Sequence, residues 1–491
     1  MLGDLGMKTI YHIFLMLVML TISCAETPEN VSETNDLPPI YPDYLGVTIP
    51  VGIAPMNFNV RGADAVDVSV KGSKSGDLHV GGDYADFPID GWHRLLADNK
   101  GGSLTFDVKA KIDGKWYGYK SFEMLVSDYE LNDWGVTYRR ISPGYEVFGK
   151  MGLYQREIAT FDEFPIIENT LIPGNCVNCH TPNACNPDSY TFHVRGANGA
   201  TIVHHDNKTE ILQSKSQTTG GSMVYPYWHP SGKYCAYSTN ATRQSFHVVK
   251  EELIEVFDLE SDVFVYCPDS RELLLDSCLM TKENFETYPA FSPDGKTLYF
   301  CTSKAYEIPQ NYKKVQYNLC KTDFLGGKLS GKIDTVFDAV AMNKSCTFAK
   351  PSYDGKYLMF TMSDYGCFPI WHHEADLWLL DLQTGTVRPL DEINSPDTES
   401  THNWSTGSHW FAFVSRRENG LYSQLFFSCI DDHGKATKPF LLPQENPLEY
   451  YSNTTYSFNV PDFTTKKVEI DYHTVGKGLM KEERVKTSSR E

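Results

Sequence analysis

The chain has 491 residues and a formal net charge of −19, from 63 acidic and 44 basic side chains. That balance excludes a nucleic-acid binder, which needs a basic footprint. It also excludes adhesion to anionic lipid through charge alone.

The first predicted element is an apolar run from Ile10 to Ile22 behind Met7-Lys8. It is too short to span a bilayer and reads as the core of a signal peptide over residues 1–23. Met7 is a better start than Met1, because it places Lys8 in a compact basic leader. The run ends in Leu20-Thr21-Ile22-Ser23-Cys24, which resembles the lipobox of bacterial lipoproteins, with Thr21 where Leu is usual. The expectation is an exported protein held on the cell envelope, at the outer membrane, by acyl chains on Cys24. Ordinary cleavage near Ser23 or Ala25 would instead give a soluble periplasmic protein. Residues 24–40 are poor in apolar side chains and read as a disordered tether. No later segment is apolar enough to cross a membrane.

Residues 41–130 are all-β in pattern. Ala65-Val66-Asp67-Val68-Ser69-Val70 and Leu104-Thr105-Phe106-Asp107-Val108 alternate with period two, and Asp113-Gly114 marks a hairpin. Their length and turn spacing suit an immunoglobulin-like sandwich. Residues 131–189 read as a linker, aromatic and basic against the acidic background. Arg139, Arg140 and Arg156 stand in it, and guanidinium groups suit carboxylates.

Within that linker, Cys176-Val177-Asn178-Cys179-His180 has the Cys-x-x-Cys-His spacing of c-type haem attachment. On a helical turn, residues i, i+3 and i+4 share a face. Cys176 and Cys179 would then form thioethers to one covalent haem c, with His180 on the iron. Export fits this, because such haem is attached outside the cytoplasm. The plainer alternatives are a Cys176–Cys179 disulfide, or a zinc site that adds Cys185. For the sixth iron ligand His193 is the first choice and Met151 the second, followed by His204, His205 and Met223. Bis-histidine ligation would give a low potential and methionine a higher one.

From Tyr190 a repeat appears. Residues Tyr227 to Ser238, Ala290 to Phe300 and Pro351 to Phe360 each read strand, tight turn, strand, around Gly232, Gly295 and Gly355. A weaker copy runs from Asn403 to Phe413. A second hairpin follows each of the first three copies. Four-stranded units of this kind bury their faces by radial stacking. The copies, best seen in Phe291-Ser292-Pro293-Asp294-Gly295-Lys296, resemble the WD40-like PD40 repeats of the TolB propeller family. The resemblance covers residues 190–463 and implies an all-β chain with a TolB-like propeller of five to six blades. With the Cys-x-x-Cys-His motif ahead of it, the chain resembles bacterial envelope lipoproteins often labelled cytochrome c biogenesis-like. Residues 464–491 read as a solvated tail.

Trp371-His372-His373-Glu374 and Glu399-Ser400-Thr401-His402 look catalytic at a glance. Adjacent strand residues face opposite ways, so His372 and His373 do not readily share a metal. No Gly-x-Ser-x-Gly elbow, Walker loop or dinucleotide fingerprint occurs in the sequence. The leading functional expectation is electron transfer or haem-based sensing with a protein partner in the envelope. The alternative is a non-redox binding module for a protein or glycan, with the cysteines structural.

Overall fold

The computed structural model describes residues 26–142, 149–213, 221–246, 254–481 and 483–490. The expected signal peptide and Cys24 lie outside the described residues. No helix among the described residues is long and apolar enough to cross a membrane.

The N-terminal module is strand-rich, as its alternation predicts. Val66, Val68 and Val70 of the Ala65–Gly72 strand face inward, against Leu104, Phe106, Val108 and Ala110 of Ser103–Ile112. Its detail differs from a two-sheet sandwich. The main strands join one seven-stranded sheet, and helix Ile89–Asp98 buries Trp92, Leu95 and Leu96. Positions i, i+3 and i+4 make one helical stripe, so that segment forms a helix rather than a second sheet. Residues expected to be a disordered tether are partly paired, since Ser32–Glu33 lies parallel to Lys115–Gly118.

Six four-stranded sheets, two of them extended by a fifth strand, follow as the blades of a propeller. Blade 1 consists of Gly135–Ile141, Gly152–Glu157 and Glu163–Glu168, closed by the distant strand Ser457–Thr464. Blade 2 runs from Asn175–Asn183 to Lys208–Leu212. The four repeat copies fall in blades 3 to 6, whose inner strands are Met223–Trp228, Asn284–Phe291, Ser345–Pro351 and Glu399–Trp404. The propeller thus begins at Gly135 rather than at residue 190. The segment expected to be a linker holds three strands of blade 1 and the inner strand of blade 2. Pairing of the first and last strands closes the ring and leaves no free edge there.

The tail is not a free solvated segment. Val468, Val475 and Leu479 are buried with Ile172 and Val177 of blade 2. Asp471 caps helix Tyr472–Leu479, and Ser488–Arg490 pairs parallel to Glu272–Leu274 of blade 3. The few apolar residues among the charged ones fall on one helical face, and burying that face holds the tail down. Leu479→Ala should cost about 2 kcal/mol and raise amide exchange over 472–490. Unchanged exchange would show that the tail does not depend on this contact.

The N-terminal module packs on the propeller. Trp410 Nε1 donates to the Tyr129 carbonyl at 2.9 Å, and Tyr44 donates to the Leu441 carbonyl at 3.1 Å.

Candidate functional site

Each inner strand carries the same irregularity. Its register slips around one residue with positive φ: Cys179 (50°), Tyr225 (48°), Tyr288 (52°), Phe348 (54°), Thr401 (42°) and Val460 (50°). Bulges sharpen the local twist and re-aim side chains. Here all six turn toward the propeller axis, where they line a channel of about 120 Å³. A wider mouth of about 390 Å³ adjoins it, and the two share Arg139, Asn178, Arg195, Tyr225 and Phe368 among their walls.

The Cys-x-x-Cys-His motif lies in the Asn175–Asn183 strand, not on a helical turn. In a regular strand residues 176 and 179 would face opposite ways. The bulge at Cys179 breaks the alternation, so Cys176 lines the mouth and Cys179 the channel. His180 then falls in the channel wall. Its side chain is fully buried, its ring stacks on Tyr190 at 6.2 Å between centroids, and Nε2 lies 3.9 Å from Asp462. Burial pulls its pKa down to about 3.

The other predicted residues separate. Met151 is brought to the motif: its sulfur and the Cys176 sulfur lie 3.7 and 3.0 Å from the same Arg139 nitrogen. His193 lies inside blade 2, buried, with Nδ1 3.0 Å from Thr201 Oγ1, and lines neither chamber. His204, His205 and Met223 also stay outside both chambers. Cys185 is buried against the Tyr353 hydroxyl at 3.4 Å, away from the channel. Of the three arginines, only Arg139 reaches the thiols. Arg140 pairs with Glu163, and Arg156 is buried against Gln444 at 2.7 Å. As placed, the residues do not fit a haem. The thiols open on the channel, while the imidazole meant for the iron is sealed in its wall and the preferred sixth ligand lies outside.

What the chamber walls do present is positive charge. Arg139 and Arg195 border both chambers, and Lys350 borders the channel. Among the described residues no carboxylate lines either chamber, and none forms an ion pair with these three side chains. Lys350 lies 4.6 Å over the Tyr227 ring. Burial draws Lys350 down and Asp462 behind it up, and their mutual attraction offsets this only in part. His402 donates through Nε2 to the Met359 carbonyl at 2.9 Å, and burial holds it at about 3. Burial raises the Cys179 thiol, while Arg195 and Arg139 pull it back. The channel is therefore an aromatic throat with Lys350 in its wall, beneath the guanidinium groups of Arg139 and Arg195. Sequence reasoning missed Arg195; the available signal was a lone basic side chain in an apolar strand of an acidic protein.

A second polar cluster lies by a larger cleft of about 1140 Å³. His372 is buried between Glu255, at 3.2 Å, and Glu374, at 3.4 Å, and Tyr365 donates to Glu255 at 2.9 Å. His373 turns away to Asp397 at 3.0 Å. The adjacent histidines thus do face different partners. Glu399 instead binds Arg417 at 2.9 Å and Ser415 at 2.7 Å.

The sequence matches no protein-family profile and no curated protein. Among solved structures, TolB from Acinetobacter baumannii is similar with a TM-score of 0.45 and 11% identity, over 77% of this chain and 86% of that one. An oligogalacturonate lyase in complex with manganese gives 0.35 and 11%, over 62% and 72%. A Mycobacterium tuberculosis puromycin-hydrolyzing peptidase gives 0.36 and 11%, over 82% and 57%. Likenesses at this level carry no functional argument. The fold rests on the strand pairing: an all-β chain with a six-bladed propeller.

Proposed function

We propose that this protein is a binding module whose propeller channel captures the acidic end of a peptide or glycan partner. One observation carries the reading. In a chain of net charge −19, Arg139 and Arg195 face a mouth of about 390 Å³ that no described carboxylate lines. A guanidinium without an ion-pair partner in a confined, partly apolar site favours a carboxylate, which it can bind through two parallel hydrogen bonds. Phe368, Ile370, Trp371 and Tyr225 offer apolar surface for the group that bears the acid. The mouth and channel hold one terminal unit of a chain rather than a long stretch of it. On this reading the protein is exported and tethered to the envelope through Cys24.

Titration calorimetry tests it with matched pairs: a short peptide with a free or an amidated C-terminus, and a uronic acid beside its neutral sugar. The acidic members should bind, and more weakly as salt rises. Arg139→Ala and Arg195→Ala should each lower affinity about tenfold or more, the effect of losing a hydrogen bond to a charged group. Equal binding of the neutral members, or no loss in either variant, would refute the reading.

A second reading is a covalent haem on Cys176 and Cys179, supported by the motif spacing and by the opening of both thiols on the chambers. It requires His180 to leave its place between Tyr190 and Asp462. A visible absorption spectrum separates the two readings.

A further inference from the structure

We propose that the unit held at the propeller axis is a hydroxylated acidic sugar, one uronic acid residue at the end of a glycan, rather than the end of a peptide. The proposal rests on the anion-binding reading of the same chamber and names its ligand. Its ground is that the channel has two unlike halves. Blades 3, 4 and 5 follow one another around the axis and present Tyr225, Tyr288 and Phe348 at their bulges, with Phe368 and Ile370 from the connection in blade 5. The rings form one continuous wall. Tyr225 meets Tyr288 at 4.6 Å between centroids, Tyr288 meets Phe348 at 4.3 Å, and Phe348 meets Phe368 at 6.2 Å. Blades 6, 1 and 2 complete the circle, and their side is mostly polar. It presents Thr401 and His402 from blade 6, Arg139 and Asn459 from blade 1, and Asn178 and Arg195 from blade 2. Among the described residues Lys350 is the one charged side chain on the aromatic half, and it lies over the Tyr227 ring.

A pyranose has the matching asymmetry. Its C–H bonds offer a face that can lie on the negative face of an aromatic ring. Its hydroxyl groups stand outward, and each both donates and accepts. The polar half has use for both. His402 donates through Nε2 to the Met359 carbonyl, which leaves Nδ1 an acceptor, and neither that atom nor Oδ1 of Asn459 has a hydrogen-bond partner within the protein. Arg139 is a donor only, and its Nε is likewise unpartnered. A peptide end satisfies the arginines with its carboxylate but brings no hydroxyl array to this half, and an apolar acid brings none either. Tyr225, Phe368 and Ile370 on one side and Arg139, Arg195 and Asn459 on the other border both chambers. One ring at the junction therefore lies between the halves, with its carboxylate toward the guanidinium groups. A cavity of roughly 150 Å³ holds one benzene, so a channel of about 120 Å³ has no room for a second ring. The rest of the glycan leaves through the mouth.

The test compares three singly charged acids by titration calorimetry on the full-length protein. Glucuronate is the sugar acid. Cyclohexanecarboxylate keeps a six-membered ring and the charge without the hydroxyls. N-acetyl-leucine stands for a peptide C-terminus. Glucuronate should bind about tenfold tighter than either of the others, or more, because a site lined to hydrogen-bond hydroxyls penalises analogues that lack them. Asn459→Ala should shrink that preference about tenfold. Phe368→Ala should weaken glucuronate about fivefold by removing part of the aromatic wall. If a variant fails to fold, the wild-type comparison of the three acids decides alone. Cyclohexanecarboxylate or N-acetyl-leucine binding as tightly as glucuronate, with that binding lost in Arg195→Ala, would overturn the sugar and keep the anion site. Binding of none of the three would overturn both.

Discussion

Gly295→Val should be among the most damaging single substitutions in the propeller, and Gly355→Val a much milder one. Both glycines occupy the same turn in successive repeat copies, with φ of +70° and +72°. An L side chain in that region costs roughly 1–2 kcal/mol at either position. The surroundings differ. A Cβ at Gly355 meets nothing within 4 Å, whereas one at Gly295 would lie 2.2 Å from Nε2 of His229 in the neighbouring blade. His229 cannot easily swing aside. Its Nε2 donates to the Gly295 carbonyl at 3.0 Å, its Nδ1 accepts from the Ser231 backbone at 3.1 Å, and Phe291 packs edge-on at 4.9 Å. Overpacking at such a site adds about 1–3 kcal/mol. Gly295→Val should therefore cost about 2–5 kcal/mol in all and Gly355→Val little beyond the conformational part. Thermal unfolding of the two variants measures this. Equal falls in melting temperature would show that the turn-to-turn contact between blades has no weight.

His372→Gln should destabilise the protein near pH 6 and much less near pH 10. Burial alone would lower the pKa of His372, but hydrogen bonds and charge from Glu255 and Glu374 more than reverse this and hold it up to about 9. A histidine raised from 6.5 stabilises the fold fully below pH 6.5 and loses that contribution as the pH climbs through 9. Burial pushes Glu374 up, and His372 more than offsets it, holding Glu374 at about 2. Its share is thus present above its ordinary 4.5 and lost as the pH falls through 2. The cluster is strongest between pH 4.5 and pH 6.5, where both shares are present, on the order of 3 kcal/mol for the histidine. It ties blade 3, through Glu255, to the connection in blade 5 that carries His372. Melting curves of wild type and variant across this range give the difference directly. A gap that stays constant from pH 6 to pH 10 would mean that the proton on His372 does not hold the cluster together.

The repeat units were legible because their chemistry is local. Gly232, Gly295 and Gly355 mark turns that need positive φ, at +74°, +70° and +72°, and apolar alternation brackets each of them. The fourth copy read weakly for a physical reason: its left-handed residue is Ser408, at φ 62°, not the neighbouring glycine. Blade 1 was not legible as a blade. Its inner strand comes from the other end of the chain, with Gly135 opposite Thr464, and no local pattern announces such a pairing. The Cys-x-x-Cys-His spacing was legible as a motif, but its geometry depends on a bulge shared by six strands of dissimilar sequence. Read on a helical turn, the spacing gathers two thiols and an imidazole on one side. On a bulged strand it sends the thiols to the channel and the imidazole to the wall. The partner of His372 was hidden for another reason, since Glu255 lies 117 residues away in sequence.

The tail shows the same limit of composition. Val468, Val475 and Leu479 are too few to make residues 464–491 look like a packed element, yet they meet an apolar surface that blade 2 has already built. A short amphipathic segment needs only such a surface to become ordered.

If the propeller axis is a cationic site for an exchangeable acidic group, no prosthetic group fills it. The most direct measurement is the visible absorption spectrum of the exported protein, purified from a host able to attach haem c, with the mass of the peptide bearing Cys176 and Cys179. The protein should be colourless, its two thiols should take up an alkylating reagent, and the peptide should have its unmodified mass. A Soret band, with one haem added to that peptide, would contradict it.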